Sequence, residues 1–159
     1  MLLWRRRTTE LRDLKVEDAP ALARLHAQAF HRGWSEDEFE QLVANSSSFG
    51  EGAFAAPRER LQGFILSRLA GVEAEILSIV VDPAARRQGV ARGLLAHHLE
   101  RLRELSVREL FLEVDEDNAG ALAFYETFGL RSVGKRRGYY PRASGGRGGA
   151  LVLRRDLDR

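Results

Sequence analysis

The sequence predicts an α+β fold: one domain with a mixed sheet flanked by helices. Three observations point there. The 159 residues, 44% apolar and 30% charged, suit a single globular domain with its own core. The periodic patterns run β-α-α-β-β-β-α-β-α-β-β along the chain. No internal repeat appears, and the SGGRGG run (144–149) is too short to link separate domains.

Each element has a local reason. A strand is expected around 6–12. Asp18-Ala-Pro20 opens a helix, with Pro in the first turn, where its missing N–H has no partner to lose. Leu22, Leu25, Ala29 and Phe30 form its expected apolar stripe. WSEDEF (34–39) starts a second helix with Ser35 as N-cap and Glu38 closing a capping box. Trp34 and Phe39 stand at the staple positions on either side. That helix should reach about Ala44, where NSSSFGEG breaks it. GAFAA (52–56) and QGFILSRL (62–69) read as strands joined by the turn APRER. AEILSIVVD (74–82) is a third strand, apolar enough at its end to be buried on both faces.

A helix from Gly89 to about Leu105 repeats Val90, Leu94, Leu95, Leu99, Leu102 and Leu105. ELFLEVD (109–115) is the next strand. Asn118 then caps AGALAFYET, and Gly129 ends it. LRSVGKRRGYY and ALVLRRDL form two last strands around PRASGGRGG.

Composition excludes several chemistries. The absence of cysteine rules out disulfides, thiolate metal sites and a covalent thioacyl-enzyme. Acyl transfer would pass directly between bound substrates. The apolar run of MLLWRRR stops after four residues, too short for a signal peptide, and no later run could span a bilayer. A cytoplasmic protein without a membrane partner is expected. The net charge of +2 and the lack of a recognisable nucleic-acid module argue against nucleic acid, despite RRR at 5–7 and KRR at 135–137. The adjacent His97 and His98 point about 100° apart on a helix and make no metal site. No metal is expected.

The stretch VVDPAARRQGVARGLLAHHLERL (80–102) holds the main functional signal. A strand, a tight loop and a helix start aim free backbone N–H groups and the positive end of a dipole at an anion. Gly89 and Ala91 leave room for a phosphate, and Arg86, Arg87 and Arg92 supply charge. The loop is neither a Walker A sequence nor G-x-G-x-x-G, which argues against a nucleoside triphosphate or dinucleotide. A glycine that merely starts a helix beside solvated arginines would look the same.

Arg86-Arg-Gln-Gly89-Val-Ala91 resembles the R/Q-x-x-G-x-G/A signature of the GNAT superfamily of N-acetyltransferases. WSEDEF, LFLEVDEDNAGALAFYETFGL and GYYP follow in the order found in its RimI-type protein N-terminal acetyltransferases, so the resemblance spans most of the chain. It implies the GNAT fold: a mostly antiparallel seven-stranded sheet with one parallel pair at the cofactor cleft and four flanking helices. It also implies acetyl-CoA as cosubstrate. The pantetheine arm would pair with the main chain of Ile79, Val80 and Val81. The pyrophosphate would lie on Arg86, Arg87, Gln88, Gly89, Val90, Ala91 and Arg92, with Asn118 and Tyr125 also touching the cofactor. Glu113 falls at the position of the general base and Tyr125 at that of the general acid. The expected partner is a protein or peptide N-terminus, with a ribosomal protein among the candidates, and the expected state a monomer or weak dimer.

The chemistry suits such roles. An amine attacks a thioester only when neutral. A peptide α-amine has a pKa of about 7.7–8.0 and lysine one near 10.4, so an N-terminus needs only a modest base. Alternation in ELFLEVD puts Leu110, Leu112 and Val114 on one face, with Phe111, Glu113 and Asp115 on the other. A carboxylate between apolar neighbours would be partly desolvated, as a base should be. An arginine-paired glutamate at the sheet surface is the competing reading. Tyr125 would protonate a thiolate that already leaves well, or simply pack with Phe124 and Phe128. A backbone N–H from 79–81 is the natural oxyanion donor.

For the substrate, the resemblance points to HRGWSEDEF and GYYPRASGGRGG, with Trp34, Tyr139 and Tyr140 gripping a peptide. Glu36 and Asp37 could attract a cationic N-terminus or simply favour a helix start. Three positions depart from the family pattern: Gly33 replaces a common Pro, Gly138 a common Asn and Gly149 a common Asp. Two other functions stay open, a small-amine acetyltransferase (polyamine, amino acid or aminoglycoside) and a non-catalytic acyl-CoA-binding module.

Overall fold

A computed structural model describes residues 8–141 and 147–157, with the side chains of 138–141 and 147 excepted. The arginines at 5–7 therefore lie outside the described residues, as do the side chains of Tyr139 and Tyr140. The elements are β1 (Thr9–Asp13), α1 (Ala19–Ala29), α2 (Glu36–Ala44), β2 (Ser48–Ala55), β3 (Arg60–Ala70), β4 (Glu73–Val81), α3 (Val90–Glu104), β5 (Glu109–Asp115), α4 (Ala119–Thr127), β6 (Arg131–Pro141) and β7 (Arg147–Asp156). This is the predicted order, with short 3-10 turns added at Val16–Asp18 and Pro83–Ala85.

The strands form one seven-stranded sheet in the order β1-β2-β3-β4-β5-β7-β6. It is mostly antiparallel, and β4 and β5 make a parallel pair. The chain divides into two compact units. One holds the residues up to Leu69 together with Leu77–Arg101, the other Ala70–Ile76 and the residues from Leu102 onward.

In the first unit, Leu22 and Leu25 of α1 and Phe39 of α2 pack with Phe54 of β2, Phe64 and Leu66 of β3 and Val80 of β4. Phe39 and Phe64 meet edge to face, 5.7 Å between centroids, and neither is exposed. Burying each such side chain stabilises the fold by about 1.5–3 kcal/mol. The capping box forms as expected: Glu38 N–H donates to Ser35 Oγ at 3.1 Å, and Ser35 N–H donates to Glu38 Oε2 at 2.7 Å. Trp34 and Phe39 meet at 5.5 Å, completing the staple.

In the second unit, β5 alternates as predicted, with Leu110, Leu112 and Val114 buried. Its antiparallel neighbour β7 pairs Glu113 with Val152 and Asp115 with Ala150. Asn118 caps α4 by accepting the Ala121 N–H at 3.1 Å, and Gly129 ends the helix at φ +75°.

Three local expectations fail. Ala29 and Phe30 are exposed, Phe30 at 43%, because α1 stops at Ala29 and Phe30 takes an extended conformation. His26 takes the buried place instead, at 3% exposure. Leu105 is exposed because it follows the last residue of α3. And β4 buries one face only: Ala74, Ile76, Ser78 and Val80 are buried, while Glu75, Leu77, Ile79 and Val81 are half-buried.

Candidate active site

The loop after β4 is the one the sequence marks for an anion. Asp82 caps the 3-10 turn at Pro83–Ala85 by accepting the Ala84 N–H at 2.9 Å, and its second oxygen accepts from Arg60 at 3.2 Å. Beyond that turn Arg87 and Gly89 take φ values of +63° and +77°. The first main-chain bond into α3 runs from Gly93 N–H to Gly89 O, 2.9 Å. The amides of Val90, Ala91 and Arg92 thus precede any intrahelical acceptor. Left-handed residues beside a helix N-terminus favour the concave N–H clusters that bind anions. Arg86, Arg87, Gln88 and Gly89 are exposed, whereas Val90 turns into the core. A Cβ on Gly89 would meet no atom within 4 Å, so the space over the loop is open. Positive φ at Arg87 and Gly89, a helix start and the exposed guanidiniums of Arg86 and Arg87 together fit a diphosphate.

Just before this loop, Ile79, Val80 and Val81 lie past the end of the β4–β5 ladder, whose last pair is Ile76 with Leu112.

The second unit carries Glu113, Asn118 and Tyr125. Glu113 is half-buried on β5 and accepts from Arg136 Nη1 on β6 through both oxygens, at 2.9 and 3.1 Å. Its side chain keeps 21% exposure, against 54% for Arg136. This is the arginine pairing that stood as the competing reading, and it leaves the carboxylate in contact with solvent. Tyr125 is buried at 8% exposure, its ring 5.3 Å from that of Phe124. Asn118 is exposed, and its Oδ1 is committed to the cap. Its side-chain NH₂ is therefore the group that could meet a ligand.

Trp34, expected to grip the substrate, is half-buried and lines an open pocket of about 440 Å³ with Glu38, Gln41, Leu42, Asn45, Arg68 and Leu77. Its backbone N–H donates to His26 Nδ1 at 3.0 Å. Burial holds His26 below the ordinary imidazole value, at about 4, against a smaller opposing pull from Glu38. Gly33 now has a reason: a Cβ there would lie 2.9 Å from the Ala27 Cα. Gly149 is similar. A Cβ would fall 2.7 Å from Lys135 Cε and 3.2 Å from the Arg136 carbonyl oxygen. Tyr139 and Tyr140 have their backbone in β6.

One cluster escaped the sequence reading. His98 of α3 donates Nδ1–H to Glu51 Oε2 on β2 at 2.6 Å, and its Nε2 meets the Ser67 hydroxyl on β3 at 2.7 Å. All three side chains are fully buried. Sealed from solvent, this Glu-His-Ser chain holds α3 to two strands and offers no nucleophile to a substrate. A faint signal existed, since His98 lies four residues from both Leu94 and Leu102, on the buried stripe. Glu51, between two glycines, gave none.

Comparison with known proteins shows the family. The model of the acetyltransferase (GNAT) family matches residues 19–130. The chain belongs to that family and is an acetyl-CoA-dependent N-acetyltransferase. It is 32% identical over 140 residues to the [ribosomal protein bS18]-alanine N-acetyltransferase of Escherichia coli K12, covering 88% of this chain and 92% of that one. It is 37% identical over 145 residues to the N-alpha-acetyltransferase RimI of Mycobacterium tuberculosis, covering 87% of each. The crystal structure of the ribosomal-protein-S18-alanine N-acetyltransferase from Escherichia coli superposes with a TM-score of 0.87 at 29% identity, over 96% of both chains. A spermidine N-acetyltransferase from Vibrio cholerae shares the fold alone, with a TM-score of 0.79 at 20% identity over 94% of each. The fold therefore does not choose the amine.

Proposed function

We propose that this protein acetylates the N-terminal α-amine of a ribosomal protein, with the N-terminal alanine of bS18 as its substrate, in the cytoplasm. The observation that carries this reading is the 32% identity to the [ribosomal protein bS18]-alanine N-acetyltransferase of Escherichia coli over 92% of that chain, with 37% identity to an N-alpha-acetyltransferase RimI over 87% of that one. The substrate pocket beside Trp34, large enough for a side chain of a peptide, supports it.

The thioester of acetyl-CoA supplies the acetyl group when bound. The amides and guanidiniums of 86–92 hold its pyrophosphate, the main chain of Ile79–Val81 pairs with its pantetheine arm, and the Asn118 NH₂ is a further donor. Glu113 takes the proton from the substrate's α-ammonium, directly or through a water, before attack. The neutral amine then displaces the thiolate, with no acyl-enzyme. Tyr125 gives its proton to the departing sulfur and is restored by the proton that the new amide nitrogen sheds. Trp34, with Tyr139 and Tyr140, grips the peptide. A free α-amine is partly neutral near pH 7, so a half-exposed carboxylate is base enough, whereas a lysine would need about 4 kcal/mol more help.

The test is turnover of acetyl-CoA with a bS18 N-terminal peptide, the same peptide with a blocked N-terminus, a peptide with an internal lysine, spermidine and an aminoglycoside. Activity confined to the free N-terminus supports the proposal. Activity only on the small amines would replace it with a small-amine acetyltransferase. Saturable acetyl-CoA binding without turnover on any of them would leave a binding module. Tyr125→Phe should lower kcat by about ten-fold, below the usual general acid effect of about 100-fold or more, because the thiolate leaves readily unaided.

A further inference from the structure

His26 has no part in the chemistry proposed above, yet it is held from every side. It lies in the last turn of α1 at 3% exposure. Phe30 and Trp34 both stack on its ring at 4.4 Å, with interplanar angles of 23° and 16°. Two rings stacked this closely occupy opposite faces, so the imidazole is sandwiched. Phe39 meets it edge-on at 5.5 Å. The Trp34 N–H donates to Nδ1 at 3.0 Å. One side chain thus joins the end of α1, the connection to α2 and the first turn of α2. The connection itself lies tight on α1, where Gly33 leaves no room for a Cβ beside Ala27.

We propose that His26 is a positioning residue for peptide binding: it fixes Trp34, by stacking and by accepting its amide, as the wall of the pocket that Glu38, Arg68 and Leu77 also line. The inference rests on the reading that the substrate is a peptide gripped by Trp34. A ring that accepts through Nδ1 carries no proton there, and burial keeps it so. Without the acceptor, the Trp34 N–H is left half-buried and unpaired, and the connection relaxes toward water at the expense of the pocket wall. Glu113 and Tyr125 sit on other elements, so peptide affinity should change separately from acetyl-CoA affinity.

The test compares wild type, His26→Phe and His26→Asn in steady-state kinetics with the bS18 N-terminal peptide and acetyl-CoA. Phe keeps the stack and loses the acceptor. Asn loses the stack but places Oδ1 where Nδ1 stood. His26→Phe should raise the peptide KM about ten-fold, the scale of one lost hydrogen bond, with the acetyl-CoA KM unmoved. His26→Asn should recover most of that loss. A folded His26→Phe with wild-type peptide KM overturns the inference, and so does an equal rise in both KM values. Should His26→Phe not fold, His26→Asn must bind the peptide more tightly than His26→Gln, whose oxygen cannot reach the same place, or the inference fails. If wild type turns over no peptide with a free N-terminus, the functional reading fails first and takes this inference with it.

Discussion

Arg136 Nη1 donates to both oxygens of Glu113, 2.9 Å from Oε1 and 3.1 Å from Oε2. The contact orients a half-buried carboxylate at the end of β5, and it is compatible with either a structural pair or a base held in one rotamer. The two differ in what removal does. An exposed ion pair contributes about 0–1 kcal/mol to stability, so neither Glu113→Gln nor Arg136→Ala should move the melting temperature much. As the base, Glu113→Gln should lower kcat by about 100-fold or more, and Arg136→Ala by far less. Wild-type kcat in Glu113→Gln would assign the pair to structure alone.

Gly89 separates backbone strain from ligand contact. Its φ of +77° disfavours any side chain, yet a Cβ there meets no protein atom within 4 Å. Gly89→Ala should therefore cost about 1–2 kcal/mol of stability from the left-handed backbone alone. If the open space receives the pyrophosphate, the acetyl-CoA KM should rise by more than about ten-fold, since backbone approach is the use of such a glycine. Calorimetric melting and acetyl-CoA titration read the two effects independently. An unchanged KM would place the anion elsewhere.

The buried chain of Glu51, His98 and Ser67 should show the asymmetry of buried polar networks. His98→Leu leaves Glu51 enclosed without its partner and should cost about 3–5 kcal/mol. Replacing Glu51, His98 and Ser67 together by Leu, Leu and Ala should recover much of that loss, because no uncompensated polar group remains. Denaturant titration of the two variants checks the order. A triple variant less stable than His98→Leu would mean that the network itself outweighs its desolvation.

His26 should leave a signature in acid. The unfolded chain takes up a proton near the ordinary value of 6.5, while the folded chain refuses it until about 4. Across that window the unfolded state binds more protons, so stability falls as pH drops from 6.5 toward 4, and this contribution is flat above and below. Glu38, the charged group that acts on the ring, softens the fall without reversing it. Melting temperatures of wild type and His26→Phe between pH 7 and pH 4 should converge or cross as the pH is lowered. Parallel curves would show that His26 protonates alike in both states.

Local chemistry was readable along the chain wherever the backbone satisfies it within a few residues. The capping box of Ser35 and Glu38, the Asn118 cap, the Gly129 terminator and the alternation through Leu110, Leu112 and Val114 all follow from helical or strand periodicity, and all are present. The strand–turn–helix arrangement after β4 was legible for the same reason: a strand end, a glycine and a helix start are neighbours in sequence. Ordered motifs then carried the family.

Partners far apart in sequence were not readable. Glu51 and His98 lie 47 residues apart, Glu113 and Arg136 23 apart. Which side chains meet there depends on how separate elements pack and register, and a hydropathy pattern marks a position as buried without naming its partner. The same holds at the end of α1, where the pattern favoured Phe30 inside and packing chose His26. A buried polar group needs a specific acceptor or donor, and tertiary packing supplied both: a strand carboxylate for His98, and the amide of Trp34 for His26.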